Sequence, residues 1–242
     1  MSPFRARTLA VAALVALSGR AAPAQTPDPV SVTIDLGFVS TSGNTEVTTF
    51  NMGEKLTYTT GKWMFGQSAA AIYGESDGSS TAEQYDAALR AEYSLGPHFL
   101  AFAGATWYRN TFAGITSRFV EGVGLGWRTI QASRDTLRLD AAITSNQETN
   151  LALVQSTFAA SRASLAYKHL FGASTAFTQA VEWVTNLEDT DDQRLFSETA
   201  LTAPISKQIA LKATYVIRFD NQPEPGFKDT DRVFTTGLQI VF

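Results

Sequence analysis

The chain has no cysteine and only two histidines among 242 residues, and only 17% of its residues are charged. The lack of Cys excludes a disulfide scaffold and any Cys-ligated zinc or iron–sulfur site. No stretch approaches 18 consecutive apolar residues, so no membrane helix is encoded. A net charge of −4 gives no basic surface of the kind that binds nucleic acid. Hydrophobic content is ordinary at 44%, which excludes disorder. What the chain does have is aromatics: 16 Phe, 7 Tyr and 4 Trp, enough for a core or a membrane band.

The N-terminus reads as a removable leader. Arg5 and Arg7 precede an unbroken apolar run from Leu9 to Leu17, and Ala22-Pro23-Ala24 fits the small-x-small cleavage pattern. A signal peptide over 1–24 and a mature chain over 25–242 follow. The run is too short for a transmembrane anchor, which needs about 20 residues. Loss of Arg5, Arg7 and Arg20 takes the net charge from −4 to −7.

After Gln25 the dominant period is two. Val30, Val32, Ile34, Leu36 and Phe38 alternate with polar residues or Gly; so do Tyr85 to Leu95 and Ile209 to Phe219. Successive strand side chains point to opposite faces, so each segment has an apolar and a polar face. About twelve segments are expected, near 30–40, 47–59, 63–73, 82–95, 99–109, 117–129, 136–146, 157–170, 175–186, 193–205, 208–219 and 229–242. Most exceed the five or six residues of ordinary strands and match the roughly 9–11 that a tilted strand needs to cross a bilayer. Tight turns (60–62, 96–98, 172–174, 206–207) alternate with longer polar loops (74–81, 110–116, 146–156, 186–193, 220–228), the short-turn, long-loop pattern of outer-membrane barrels. Tyr58, Trp63, Tyr73, Tyr93, Trp127, Tyr167 and Trp183 near strand ends fit two interfacial girdles.

The expected fold is therefore all-β: a single closed antiparallel transmembrane barrel of about 12 strands in the cell outer membrane. Phe234, Leu238, Ile240 and the terminal Phe242 share one face of the last strand, as in the C-terminal signal read by the barrel assembly machinery. Two positions resist the scheme. Glu54 falls on an apolar face in mid-strand, which implies a register error or a bulge, and Glu121 does so near a strand start. In the segment 99–109 both faces are mostly apolar, and inside cannot be told from outside.

Gly37-Phe38 followed by Thr41-Ser42-Gly43-Asn44-Thr45, then Thr60-Gly61-Lys62-Trp63, Tyr73-Gly74-Glu75, and Pro223-Glu224-Pro225-Gly226 with Lys228, Asp229 and Thr230, form an ordered set. It resembles the salt-induced outer-membrane proteins, the family called domain of unknown function 481, over nearly all of the mature chain. The resemblance implies an outer-membrane β-barrel of Gram-negative bacteria. It supplies no activity and no catalytic residue; salt-responsive expression comes from the family label alone. Glu54 departs from the apolar residue expected there.

Inward faces carry Asp35, Lys55, Asp86, Arg90, Glu92, Arg118, Arg128, Arg138, Asp140, Arg162, Lys168, Glu182, Glu198, Lys212, Arg218 and Asp231, of nearly balanced sign. That balance suits pairing across the lumen better than a strongly selective pore. Hairpin geometry puts Arg162 diagonal to Glu182, and Glu182 close to Glu198. This cluster reads as a rigidifying plug of ion pairs, as a constriction that contacts a solute, or as a carboxylate acid/base pair. Catalytic alternatives are thin: His98 and His169 lie in or beside short turns, and Ser174 is a turn residue. Asp189, Asp191 and Asp192 could hold Ca²⁺, but solvation or divalent bridging to lipopolysaccharide is the simpler expectation. Gly122, Gly124 and Gly126 share one strand face and make no nucleotide loop. No cofactor and no metal site is expected. The functional expectation is a structural or envelope-stress barrel with a narrow or plugged lumen. The alternative is a narrow diffusion channel for small polar or ionic solutes; a secreted lipocalin-like binder is a remote third.

Overall fold

The computed structural model describes residues 29–42, 48–76, 79–172 and 175–242. The leader, Gly43 to Thr45 and the turn residues Ala173 and Ser174 lie outside the described residues. Twelve strands follow one another: β1 (Val30–Ser42), β2 (Thr48–Thr60), β3 (Trp63–Ser76), β4 (Ser79–Ser94), β5 (Phe99–Asn110), β6 (Ile115–Gln131), β7 (Asp135–Asn150), β8 (Gln155–Phe171), β9 (Thr175–Asn186), β10 (Gln193–Pro204), β11 (Ile209–Asp220) and β12 (Thr230–Val241). Each pairs antiparallel with the next, and β12 pairs with β1 to close the barrel. No strand edge is left over, so the backbone needs no partner from its surroundings.

The register sorts side chains into two populations. Leu89, Val123, Leu125 and Ile143 point outward and are 55–64% exposed, a surface that water would not tolerate and hydrocarbon does. Aromatic rings band the turn end of this wall. Trp63 packs on Tyr93 with centroids 4.9 Å apart, Phe99 stacks on Trp127 at 6.3 Å, and Tyr167 meets Phe177 edge-on at 6.4 Å. At the loop end the indoles of Trp107 and Trp183 point outward. Each donates its N–H to a neighbouring hydroxyl, Ser117 Oγ and Thr185 Oγ1, both at 3.1 Å. Apolar body with satisfied polar tip is the property that holds such rings at a bilayer interface.

β5 is ambiguous in sequence because its inward side chains are also large and apolar. Pairing resolves it. Leu100, Phe102, Gly104, Thr106 and Tyr108 share the inward rows of Glu92, Arg90 and Arg118, and Phe99, Ala101, Ala103, Ala105 and Trp107 face out. Leu100 is fully buried inside the barrel, and the Arg90 guanidinium lies 3.6 Å from the centroid of the Phe102 ring. The glycines on β6 make room for them: a Cβ on Gly124 would come within 2.5 Å of the Phe102 ring, and one on Gly126 within 2.8 Å of Leu100.

The expected explanations for Glu54 are both wrong. β2 pairs with β1 and β3 in continuous register, with no bulge on β2, and Glu54 points outward between the outward Phe50 and Tyr58. Its carboxylate accepts a hydrogen bond from Gln67 Nε2 at 2.5 Å, so the two polar groups on this wall satisfy each other. Glu121 also points outward, one outward position from Phe119 at the loop-end rim of the wall.

The expected strands are too short at the loop end. β3 reaches Ser76, β4 starts at Ser79, and β7 and β8 extend through Asn150 and from Gln155, so much of 146–156 is paired strand and not loop. Beyond the bilayer both faces of a strand meet water. The apolar alternation then fades while the backbone ladder continues.

At the seam between β1 and β12 the backbones come too close for a side chain. Gly37 pairs with Gly237, and a Cβ on Gly237 would overlap the carbonyl oxygen of Leu36. Gly237→Val is expected to prevent closure and abolish the compact, heat-modifiable form on gels. Gly66→Ala, with nothing nearer than 4.0 Å, is expected to leave it intact.

Candidate solute pathway

Seen from the lumen, the wall has three tiers. Nearest the turn end, Arg90 and Arg138 share two acids. Glu92 Oε1 accepts from Arg90 Nε at 2.6 Å and Arg138 Nη1 at 2.8 Å, while Asp140 Oδ2 accepts from Arg90 Nη2 at 2.8 Å and lies 3.0 Å from Arg138 Nη2. Glu92 and Asp140 side chains are only 4% and 6% exposed. This square lies on β4 and β7, over Leu100 and Phe102, and fills one side of the lumen.

Near the loop end a second network crosses the barrel. Glu148 Oε2 on β7 accepts from Arg118 Nε at 2.5 Å and from Arg194 Nη1 at 3.0 Å. Asp220 at the end of β11 lies 3.2 Å from Arg194 and 3.7 Å from Arg118. Arg218 reaches from β11 to the opposite wall, 3.8 Å from Asp86 and beside the Tyr108 ring. The loop at 221–229 leans from this network over the mouth. Asn150 Nδ2 donates to Glu224 Oε2 at 3.0 Å, Gln222 Nε2 to Asp189 Oδ2 at 3.1 Å, and Asn221 Nδ2 to Asp191 O at 2.8 Å.

Between the tiers is a cavity of about 670 Å³. One side is lined mainly by small residues, Gly53, Ser68, Ala70 and Ala88 on β2 to β4, with Lys55 and Asp86 beside them. The other carries Arg162, Glu182, Glu198 and Lys212 on β8 to β11. Arg162 Nε is 3.0 Å from Glu182 Oε2. The register sets Arg162 opposite Val184 and Glu182 opposite Ser164, a diagonal pair. Glu198 lines the same cavity but makes no ion pair with Arg162; its row leads to Val216, beside Arg218. Asp35 Oδ2 accepts from Lys212 Nζ at 2.6 Å and Oδ1 from Gln239 Nε2 at 2.9 Å. Lys55 lines the cavity one inward position from Gly53.

Sequence reasoning missed Glu148, Arg194 and Asp220, which organise the loop end, and read Asp192 only as a loop acid, whereas it lies 3.4 Å from Arg194. The signal was present. Glu148 continues the even-numbered inward row of Arg138, Asp140 and Thr144, and Arg194 continues that of Glu198. Both had been assigned to loops or strand starts because apolar partners run out there.

Other expected candidates are scattered. His169 Nδ1 sits 2.7 Å from Asp135 Oδ1, which also accepts from Tyr167 at 2.7 Å, on the outward face at the turn end. His98 Nδ1 lies 3.2 Å from the Arg128 carbonyl oxygen. Neither histidine hydrogen-bonds a serine among the described residues. Asp189 turns its carboxylate to Asp191 N and Gln222, and Asp192 to Asn186 Nδ2. No three acids or histidines among the described residues converge as a metal-binding group. Phe234, Leu238 and Phe242 are outward and 43–59% exposed, and Ile240 shares their face; Phe242 N donates to Val32 O at 2.9 Å across the seam.

A closed 12-stranded antiparallel barrel, apolar outside and charged within, is the architecture of porin-like transmembrane barrels. The chain belongs to the family described as "Protein of unknown function, DUF481", whose model matches residues 34–242. It is similar to the uncharacterized protein YdiY of Escherichia coli (strain K12), 26% identical over 222 residues, covering 89% of this chain and 84% of that protein. Among solved structures, the NanC porin superposes with a TM-score of 0.59 at 11% identity, covering 86% of this chain and 98% of that one. The KdgM porin gives 0.49 at 9% identity, covering 87% and 99%. The likeness to the NanC porin shows the fold.

The two ion-pair groups differ in burial, and so in their expected weight. Glu92→Ala leaves two guanidiniums sharing Asp140 alone where a buried carboxylate stood, an expected loss of up to about 3–5 kcal/mol. Arg162→Ala removes a pair with 22% and 32% exposure and is expected to cost under about 1 kcal/mol. Urea unfolding of the two variants in the same lipid, followed by tryptophan fluorescence, measures the difference.

Proposed function

We propose that the protein is a narrow diffusion channel of the outer membrane for small polar or ionic solutes. The observation that carries this reading is the cavity of about 670 Å³ beneath the 221–229 loop, lined mainly by small residues on one side and by charges of both signs on the other. A lumen meant only to be filled would set large residues against Arg162 and Glu182; here Gly53, Ser68, Ala70 and Ala88 stand across from them. Mixed sign favours weak ion selectivity. The outer-membrane location is supported by the porin-like fold, the aromatic belts and the leader. Short turns would then face the periplasm, and the loops, with the 221–229 segment, the outside. The outward row ending in Phe242 supports recognition by the barrel assembly machinery, and Asp189 and Asp191 on an outer loop support divalent-bridged contact with lipopolysaccharide.

A second reading is a structural envelope barrel with a plugged lumen. It is favoured by the buried Arg90–Glu92–Arg138–Asp140 square and by the loop tied across the mouth through Glu224.

Planar-bilayer recording of the refolded protein separates the two. The channel reading expects small discrete current steps, and larger steps when residues 222–227 are deleted. Silence from both proteins, each folded by heat-modifiable migration, establishes the plugged barrel instead.

A further inference from the structure

The inward charges of the strands are sorted by sign along the barrel axis. Six cations, Lys55, Arg90, Arg128, Arg138, Lys168 and Lys212, stand no more than five residues from the turn end of their strands. Only three inward acids share that stretch: Asp35, Glu92 and Asp140. Toward the loops the ratio is reversed. Arg118, Arg162, Arg194 and Arg218 stand there among six acids, Asp86, Glu148, Glu182, Glu198, Asp220 and Asp231.

Pairing does not even out either end. At the turn end Arg90 and Arg138 are balanced by Glu92 and Asp140, and Lys212 by Asp35. The surplus is Lys55, Arg128 and Lys168. None of the three makes an ion pair among the described residues, and the Arg128 guanidinium donates to a neutral partner, Ser94 Oγ, at 3.1 Å. At the loop end the excess has the other sign and the loops add to it. Glu224 and Asp229 line the cavity there against Lys228, and Asp192 lies 3.4 Å from Arg194.

A narrow lumen with low-dielectric walls focuses the field of its fixed charges onto the path. That field reaches about 10 Å at 0.1 M salt, enough to span a narrow lumen. The basic stretch therefore gathers mobile anions and the acidic stretch mobile cations. We propose that the lumen is a bipolar ion pathway, two oppositely charged segments in series, which passes small ions of both signs and carries more current in one direction than in the other. With the loop side positive, cations enter through the acidic segment and anions through the basic one. Both accumulate where the segments meet, and the lumen conducts well. With the polarity reversed, both are drawn out of the middle and the current falls. This inference rests on the channel reading and names its solutes as small ions of either sign.

The test is single-channel current in a planar bilayer at equal and opposite voltages, in potassium chloride at about 0.1 M and about 1 M. Insertions are scored one at a time, because the barrel enters the bilayer in either orientation. The wild type is expected to carry at least about twofold more current at one polarity in the dilute salt. Near-equal currents are expected in the concentrated salt, where the field reaches only about 3 Å. Lys55→Gln, Arg128→Gln and Lys168→Gln together remove the surplus cations without breaking an ion pair. The triple variant, folded by heat-modifiable migration, is expected to lose the asymmetry and to become cation-selective by its reversal potential in a salt gradient. Lys168→Glu alone, at an exposed position on the turn-end mouth, is expected to lower the current ratio even where the triple variant does not fold. Equal wild-type currents at both polarities in dilute salt overturn the proposal, and so does an asymmetry undiminished in concentrated salt or by these substitutions; in each case the current itself keeps the channel. Silence of the folded wild type removes the channel reading and this proposal with it.

Discussion

Every backbone amide that passes through hydrocarbon must find its partner within the protein, because lipid offers none. In this chain the consecutive strands pair with one another, and the last two edges meet at the β1–β12 seam, where Gly37 and Gly237 let the first and last strands come together. The rest depends on that closure. Once the sheet has no edges, its two faces become an outside and an inside, and alternation assigns each residue to lipid or lumen. Trp127 and Arg128 are neighbours in sequence and belong to different solvents.

The inside of such a barrel is where charge becomes expensive or useful. Burying Glu92 and Asp140 at a few per cent exposure is tolerable because Arg90 and Arg138 bond both of them. Such a square gains little over an apolar filling of the same shape, but its loss is costly because removing one member strands the others. It fixes the lower lumen on one side and leaves the other side free. Outside, the same logic explains Glu54. A carboxylate on the lipid wall is acceptable when a neighbouring strand supplies a donor, here Gln67.

The fold was legible in the sequence because the signal that defines it, period-two alternation over segments long enough to cross a bilayer, is physical and local. Parity assigns most inward charges, the count of alternating segments gives the strand number, and the lack of backbone partners in lipid gives closure. Two things did not follow. Inside and outside on β5 could not be told apart because Leu100 and Phe102 are as apolar as Phe99 and Trp107; only pairing with β4 and β6 separates them. The loop-end network was lost because strands were ended where apolar residues end, and Glu148 and Arg194 lie just beyond. Side-chain partners were legible to the level of diagonals. Arg162 and Glu182 fall on neighbouring strands by hairpin arithmetic, but that Glu198 stands apart from them depends on rotamers that spacing does not encode.

The unequal strand lengths tie these features together. β6 and β8 run 17 residues and β4 and β7 run 16, against 12 or 13 for β1, β2, β5 and β9 to β12. The long strands β6 to β8 stand above the bilayer as a wall on one side of the mouth. A loop rising from the short β11 and β12 needs only to lean across to find acceptors and donors on that wall, and Glu224 finds Asn150 there. Asp220 at the foot of the loop meets Arg118 and Arg194, which also clasp Glu148 on the wall. The loop is thus held at its foot by charge and further along by hydrogen bonds from Asn221 and Gln222 to Asp191 and Asp189 and from Asn150 to Glu224. These anchors lie on the end of β7 and on the loop after β9, so the segment bridges the mouth above the arginine layer that ties β6, β7, β10 and β11 together.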